Sequence, residues 1–515
     1  MKTVLLLLHV ILPLIGIVDS SFITYEEIMG IVPPCGNGFD CGAVLTSKYA
    51  HIGPVPLAAI GFMYYLTLFI LGSLLVLEVD TSKWFPKKLR AFTSTQQLYT
   101  TLTTFGAAFS LYLVFLMGIV IKGWCLYCLI SAITSATLFA LSWYYFSKTS
   151  TSSHTLLKTI SHKIVSVLYT NVLKPILFLI DPEIVHNSFS TIGNLLGSSA
   201  LLRWKTKLLF EYHSATTPIV RDGILFPNKL GLAAGFDYNG EMAKILGPVG
   251  FGFHTIGTVT FQPYAGNPKP RLGRLPESKA LIVNKGLKTL GAPTIANKLA
   301  GITFTVPVGI SIASTNTHFD TAQEQLMDIV KGFVVFEKSS VNHSYYELNI
   351  SCPNTFGGEP FTSPERLEQL LTATDALHLS RPLYIKMPID QSKKETLQLL
   401  AVADTHAVQG VIFGNLTKDK NNPDVTPSER KIWASRKGNL SGKPTFARSN
   451  ALIRLTREHF YDRFTIIGLG GVFDTETAQS KLDAGADLIQ LITGMVFGGP
   501  QVIGTIVREL DLKSK

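Results

Sequence analysis

Three uncharged runs, at about 54–77, 97–121 and 124–146, constrain this chain more than any other feature. Each is long enough to cross a hydrocarbon core of about 30 Å as a helix. Lipid offers no partner to an open backbone, so the runs are expected to be helices. A fourth apolar stretch, residues 3–18, follows Lys2. It fits a signal peptide with Asp19-Ser-Ser21 near a cleavage point, or equally a short first crossing. The composition agrees: 46% of the 515 residues are apolar, only 16% are charged, and the mean hydropathy is +0.28. Basic residues mark the cytoplasmic side. They cluster in Trp84-Phe-Pro-Lys-Lys-Leu-Arg90 and return at Lys148, Lys158 and Lys163. With residues 3–18 retained, four helices place both ends of a multi-pass bundle in the cytoplasm. The net charge of +10 suits an anionic bilayer surface. No dense basic run interleaved with aromatics occurs, so no nucleic acid partner is expected.

The cysteines are unevenly spread. Cys35 and Cys41 lie in a Pro/Gly-rich loop after the first apolar stretch, and Trp124-Cys-Leu-Tyr-Cys128 opens the last apolar run. A Cys-x-x-Cys pair at a helix N-terminus favours the thiolate and makes an exchange centre of Cys125 and Cys128. The loop pair can pass electrons to it. Zinc also takes four cysteines, although so wide a separation within a membrane bundle is unusual for a finger. Residues 1–147 resemble the vitamin K epoxide reductase family in its bacterial disulfide-forming branch. The resemblance rests on the Cys35/Cys41 loop, Ser47, Gly53-Pro-Val-Pro56 and the Cys-Leu-Tyr-Cys-Leu-Ile-Ser-Ala run at 125–132. It implies a quinone pocket beside Cys128 and a separate thioredoxin-like partner that hands electrons to Cys35/Cys41. It also implies a bacterial inner membrane, and the basic residues after Phe146 place whatever follows the bundle on the cytoplasmic side.

Residues 148–213 read as a polar linker followed by amphipathic helices, with Asp181 as a cap and Pro182 in the first turn. Such helices suit a membrane face, or packing on the next domain. From 214 to 515, short strands alternate with helical stretches. The strand candidates are Leu230–Ala233, Phe253–Gly257, Pro307–Ile312, Tyr345–Ile350, Leu383–Lys386, Gly410–Phe413, Thr465–Gly468 and Leu488–Leu491. Eight such units predict a (β/α)₈ barrel. The long segment 258–303 predicts an inserted lid. Tyr346-Glu-Leu-Asn-Ile-Ser-Cys-Pro-Asn-Thr355 stops at Pro353 and delivers Asn349, Cys352 and Asn354 to the rim where barrel enzymes work. Glycine turns follow the seventh and eighth strands, at Ile467-Gly-Leu-Gly-Gly471 and Leu491-Ile-Thr-Gly494. That is the usual barrel phosphate site, and Gly438-Asn-Leu-Ser-Gly442 can add to it. Lys386 ends the fifth strand, either facing a reduced flavin or held in a partly buried ion pair.

Residues from about 165 to 512 resemble the dihydroorotate dehydrogenase family. The matching motifs are Gly231-Leu-Ala-Ala-Gly-Phe-Asp237, Ile256-Gly-Thr-Val-Thr260, Leu440-Ser-Gly-Lys-Pro444 and Ile466-Ile-Gly-Leu-Gly-Gly471. The arm Asp181-Pro-Glu-Ile-Val-His186 resembles the extension of its quinone-linked class. The resemblance implies FMN, dihydroorotate or a similar small acid as substrate, and ubiquinone or menaquinone as acceptor. It places Ala234, Gly235, Thr258, Asn349 and Lys386 at the flavin. Gly438, Gly470, Gly471, Thr493 and Gly494 fall at its phosphate. Asn284, Asn349, Asn354 and Asn415 face the pyrimidine, and Cys352 is the base. No metal is implied.

The sequence departs from the pattern in four places. Cys352 stands where the quinone-linked class has Ser, and Tyr238 where the family has Lys. Ser311 and Ala313-Ser-Thr315 replace an Asn and its Gly-Lys-Asn sequel. Asn284-Lys-Gly-Leu-Lys-Thr-Leu-Gly291 departs from the family's Asn-Arg-x-Gly-Phe-Asn loop, and Lys285 or Lys288 can replace the missing cation. These changes bear on the substrate more than on the flavin, which has many backbone contacts. The sequence therefore predicts a thiol-oxidising bundle fused to an FMN dehydrogenase barrel. The alternatives are a different reduced pyrimidine or enoate-like substrate, or a membrane-anchored scaffold without catalysis.

Overall fold

The computed structural model describes residues 2–513, apart from Asn37, Glu78, Asp80, 85–92, 150–161, Ile164 and 213–217. The basic link after Trp84 and most of the polar linker at 147–154 lie outside the described residues. The chain divides into two compact units, Met1–Leu157 and Lys158–Lys515.

In the first unit, four helices among the described residues are long and apolar enough to cross a membrane: Leu5–Ile28, Leu57–Val76, Thr95–Ile121 and Leu126–Tyr145. The first runs without a break from Lys2 to Ile28, well past residue 18. Asp19-Ser-Ser21 lies inside it because the hydroxyls are satisfied locally. Ser20 Oγ donates to Gly16 O at 2.5 Å, and Thr24 Oγ1 to Ser20 O at 2.6 Å. The third helix starts at a capping box made by Ser94 and Gln97. Tyr65, Leu68, Leu71, Tyr99 and Leu138 form the bundle core. Leu111, Phe105 and Ile133 face outward, as a lipid-exposed surface requires.

In the second unit, eight parallel strands close into a barrel in sequence order. We label them β1 (Leu230–Leu232), β2 (Phe253–Val259), β3 (Val308–Ile312), β4 (Tyr345–Asn349), β5 (Leu383–Met387), β6 (Gly410–Phe413), β7 (Thr465–Leu469) and β8 (Leu488–Leu491). The strands are buried along their whole lengths, as continuous apolar runs under a coat of helices should be. A hairpin, Ile219–Arg221 with Ile224–Phe226, brings Phe226 into one core with Phe253, Tyr345 and Tyr384. The segment after β2 carries the expected insertion, a hairpin of Leu272–Leu275 and Ala280–Val283. Asn439–Gly442 joins it as a third strand, paired with Ala280–Val283.

The arm is helical over Lys174–Leu179, Pro182–Ser198 and Ala200–Phe210. Asp181 caps the middle helix, its Oδ1 accepting from the Glu183 and Ile184 N–H groups. One face packs on the barrel through Gly193 and Gly197, close to Met242, Lys244 and Ile245. The other face leaves Leu179, Ile184, Leu195, Leu201 and Trp204 exposed.

Candidate functional site

The strand ends and the arm enclose a cavity of about 430 Å³. Its floor begins at β4. Pro353 has no N–H to give a ladder, so the chain turns there and carries Cys352 into the cavity wall. Parallel register sets Asn349 beside Lys386 and Glu347 beside Ser311. A chain of polar contacts results. Asn349 Nδ2 donates to Thr258 Oγ1 at 2.8 Å, and Thr258 Oγ1 lies 2.9 Å from Ser311 Oγ. Ser311 Oγ donates to Glu347 Oε1 at 2.8 Å, and Lys386 Nζ lies 3.6 Å from the same oxygen. Glu347 is fully buried, and the lysine and hydroxyl compensate its charge. Burial pushes the Cys352 thiol up to about 11, against the backbone near Asn354 and the charge of Lys386.

The opposite end is lined by backbone. Gly470 and Gly471 have φ of +98° and +71°, and a Cβ at either would collide with Thr445 or Phe446. Ser441 Oγ and Thr493 Oγ1 lie 2.9 Å apart beside them. Toward the arm, Glu183 Oε1 accepts from Arg271 Nη1 and Lys285 Nζ, each at 3.1 Å. Lys285 Nζ also stands 5.2 Å from the centre of the Tyr238 ring. Burial lowers Lys285 against the pull of Glu183, and burial likewise lowers His186, whose Nε2 lies 2.8 Å from Phe236 O.

The cavity gathers Ala234, Gly235, Thr258, Asn349, Cys352, Asn354, Lys386, Asn415, Gly470, Gly471, Thr493 and Gly494. Asn284 and Gly438 are not among its wall residues. Asn284 Oδ1 instead accepts from Asn267 Nδ2 at 2.9 Å, and Gly438 backs onto Val283. Asn415 Nδ2 donates to Ser351 O and Oγ, at 2.6 and 2.8 Å. Sequence reasoning missed Glu347, Ser441 and the Glu183–Arg271 pair. A lone carboxylate inside an apolar strand was the available signal for Glu347.

The bundle gathers its cysteines as well. Cys35 and Cys41 form a disulfide, while Cys125 and Cys128 are free thiols. Asp40 N–H donates to Trp124 O at 2.8 Å, and Tyr127 Oη donates to Pro34 O at 3.0 Å. These two bonds hold the loop against the turn before the last helix. Cys41 and Cys125 are buried in one cluster, with Cys35 and Cys128 packed against it. The Cys128 N–H donates to Cys125 Sγ at 3.4 Å, which favours a thiolate there. Two cysteine pairs packed in one cluster, one oxidised and one reduced, are the groups that thiol–disulfide exchange requires.

Comparison with known proteins agrees with this division. Residues 219–513 match the dihydroorotate dehydrogenase family, and residues 7–143 match the vitamin K epoxide reductase family. A dihydroorotate dehydrogenase (quinone) of Thermosynechococcus vestitus is 32% identical over 354 residues, covering 66% of this chain and 96% of that one. One from Rhizobium etli is 35% identical over 346 residues, covering 65% and 89%. Among solved structures, an Eimeria tenella DHODH crystallised with ferulenol aligns with a TM-score of 0.54 at 23% identity. It covers 64% of this chain and 90% of that one, a likeness of fold.

Proposed function

The chain belongs to the dihydroorotate dehydrogenase family, with a vitamin K epoxide reductase-like bundle ahead of the barrel, and from that membership we propose a bifunctional quinone-linked membrane oxidoreductase. In this reading the barrel binds FMN and oxidises dihydroorotate to orotate. The bundle oxidises thiols of a separate thioredoxin-like protein. Both halves pass electrons to membrane quinone, with the barrel on the cytoplasmic side.

The observation that carries the reading is the cavity itself, with a thiol at one end and a glycine cradle at the other. The cradle of Gly470, Gly471, Ser441 and Thr493 suits a phosphate, because bare glycine backbone and two hydroxyls line that end of the cavity. FMN, when bound, supplies the acceptor for the hydride leaving C6 of the substrate. The protein's own residues do the rest. Lys386 sets a positive charge at the cavity floor, tempered by Glu347. Asn349 and Asn415 present amides to the substrate. Cys352 Sγ takes the C5 proton as thiolate. The apolar wall that the arm itself supplies, at Leu177, Phe178, Val185 and Phe189, excludes water and suits a quinone ring. The exposed apolar face of the arm suits a lipid surface.

A second reading rests on Tyr238. The cations at the cavity are engaged: Lys285 with Glu183, Lys386 with Glu347, and Arg274 Nη1 with Ile180 O at 2.7 Å. A different reduced pyrimidine or enoate-like substrate, with less need for a free cation, fits such a site. The first test is cofactor content. Detergent-purified protein should hold one FMN per chain. Folded, colourless protein that takes up no added FMN would contradict both readings and leave a scaffold.

A further inference from the structure

In the membrane bundle one acid has no part in the sites described so far. Asp19, on the first helix, is 9% exposed, and its Oδ2 has no hydrogen-bond partner among the described residues. An ionisable group inside a membrane segment is costly and is kept where it serves chemistry.

Its height in the bundle follows from its neighbours. One turn before it, Gly16 lies directly against the ring of Tyr65. The Tyr65 hydroxyl donates to Ser131 O at 2.7 Å and lies 2.9 Å from Ser131 Oγ. One turn after Asp19, the Phe22 ring meets the Tyr127 ring, with centres 5.6 Å apart. Ascending from Gly16 to Phe22 on the first helix therefore matches descending in number from Ser131 to Tyr127 on the last. Asp19 lies midway between Gly16 and Phe22, so it comes level with Leu129, about 1.5 Å along the axis from Cys128. Its carboxyl is within electrostatic reach of both Cys125 and Cys128.

We propose that Asp19 carries the proton between the Cys125–Cys128 pair and quinone as the pair is oxidised. The assignment rests on the thiol-oxidising reading of the bundle. The step starts with Cys125 as thiolate and Cys128 as thiol. The Cys128 S–H bond breaks, one S–S bond forms, and two electrons pass to the quinone. The Asp19 carboxylate takes the Cys128 proton and gives it to one quinone oxygen, returning to its starting state. Water at the membrane face supplies the proton for the other oxygen, so quinol and disulfide are the products. Hydrocarbon contains no water to do this work, which is why a side chain must.

The test uses the full chain in detergent, with dithiothreitol as electron donor and a soluble quinone as acceptor. The Cys125→Ala rate serves as background. Asp19→Asn should slow quinone reduction about 10²–10⁴-fold, as loss of a positioned proton carrier does. Asp19→Glu should retain part of the rate, and added formate should restore part to the Asn variant. Maleimide labelling should count the same free thiols in each. An Asn variant within about threefold of wild type overturns the assignment, because a proton carrier contributes far more. So does a Glu variant as slow as Asn with no rescue by formate, which would mean a packing role. Equal rates for wild type and Cys125→Ala would sink the thiol-oxidising reading, and Asp19 with it.

Discussion

The barrel cavity and the cysteine centre solve different problems with their charges. In the cavity each named charge has a partner: Lys386 has Glu347, and Lys285 and Arg271 share Glu183. In the bundle, the buried Asp19 carboxyl has no cationic partner among the described residues, whereas Glu347, which also leaves one oxygen without a hydrogen bond, has Lys386. A site that holds a large group in one pose gains from a satisfied, rigid polar shell. A site that moves protons gains from a group left able to change its protonation. The contrast predicts effects of different kinds: barrel substitutions act on binding or on removal of the substrate proton, and bundle substitutions act on delivery of electrons and protons to quinone.

The largest effect is expected at Cys125. Cys125→Ala should bring thiol-driven quinone reduction to background, because no disulfide can form with Cys128. Flavin reduction by substrate in the same protein should proceed at the wild-type rate. A collapse of both, with the fold intact by circular dichroism, would mean one electron path and not two.

Next comes Cys352. Alanine should slow flavin reduction about 10²–10⁴-fold, and serine should keep part of it. The pH profile sharpens the point. Burial raises this thiol to about 11, so at neutral and mildly alkaline pH only a small fraction is thiolate. The wild-type rate should therefore climb with pH across the neutral and mildly alkaline range, and the climb should vanish in the alanine variant. A flat wild-type profile under stopped-flow would place proton removal elsewhere.

Gly471→Ala should act on binding. A Cβ at φ +71° is strained and would press on Phe446. A penalty of about 1–3 kcal/mol corresponds to FMN held roughly tenfold to a hundredfold less tightly. Fluorescence titration of the apoprotein measures this; unchanged affinity would remove the phosphate from this turn. The smallest effect is expected at Tyr238. Tyr238→Lys restores the family's cation and should lower KM for dihydroorotate by less than about tenfold, with kcat little changed. A raised KM would favour a substrate without an acid group.

Much of this was legible because the signals are local. The apolar run of Gly410–Phe413 begins and ends where its strand does, and the glycine turns after β7 and β8 stand in contiguous sequence. What escaped depends on distant partners. Asn439–Gly442 looks like a loop until Ala280–Val283 is beside it, since its pairing edge comes from the insertion after β2. Glu347 looks misplaced in an apolar strand until parallel register brings Ser311 and Lys386 to it. Asp19-Ser-Ser21 fits a cleavage point after a leader as well as the end of a short first crossing. The helix runs through them because each serine hydroxyl returns to a carbonyl of its own preceding turn.

The central claim is that the barrel cavity is a working flavin site that feeds quinone. Anaerobic addition of dihydroorotate to the purified full-length protein tests it most directly, followed by a soluble quinone, with the yellow absorbance recorded throughout. The account predicts that dihydroorotate bleaches the flavin and that quinone restores the colour. Bound flavin that dihydroorotate does not bleach, although dithionite does, would contradict the assignment.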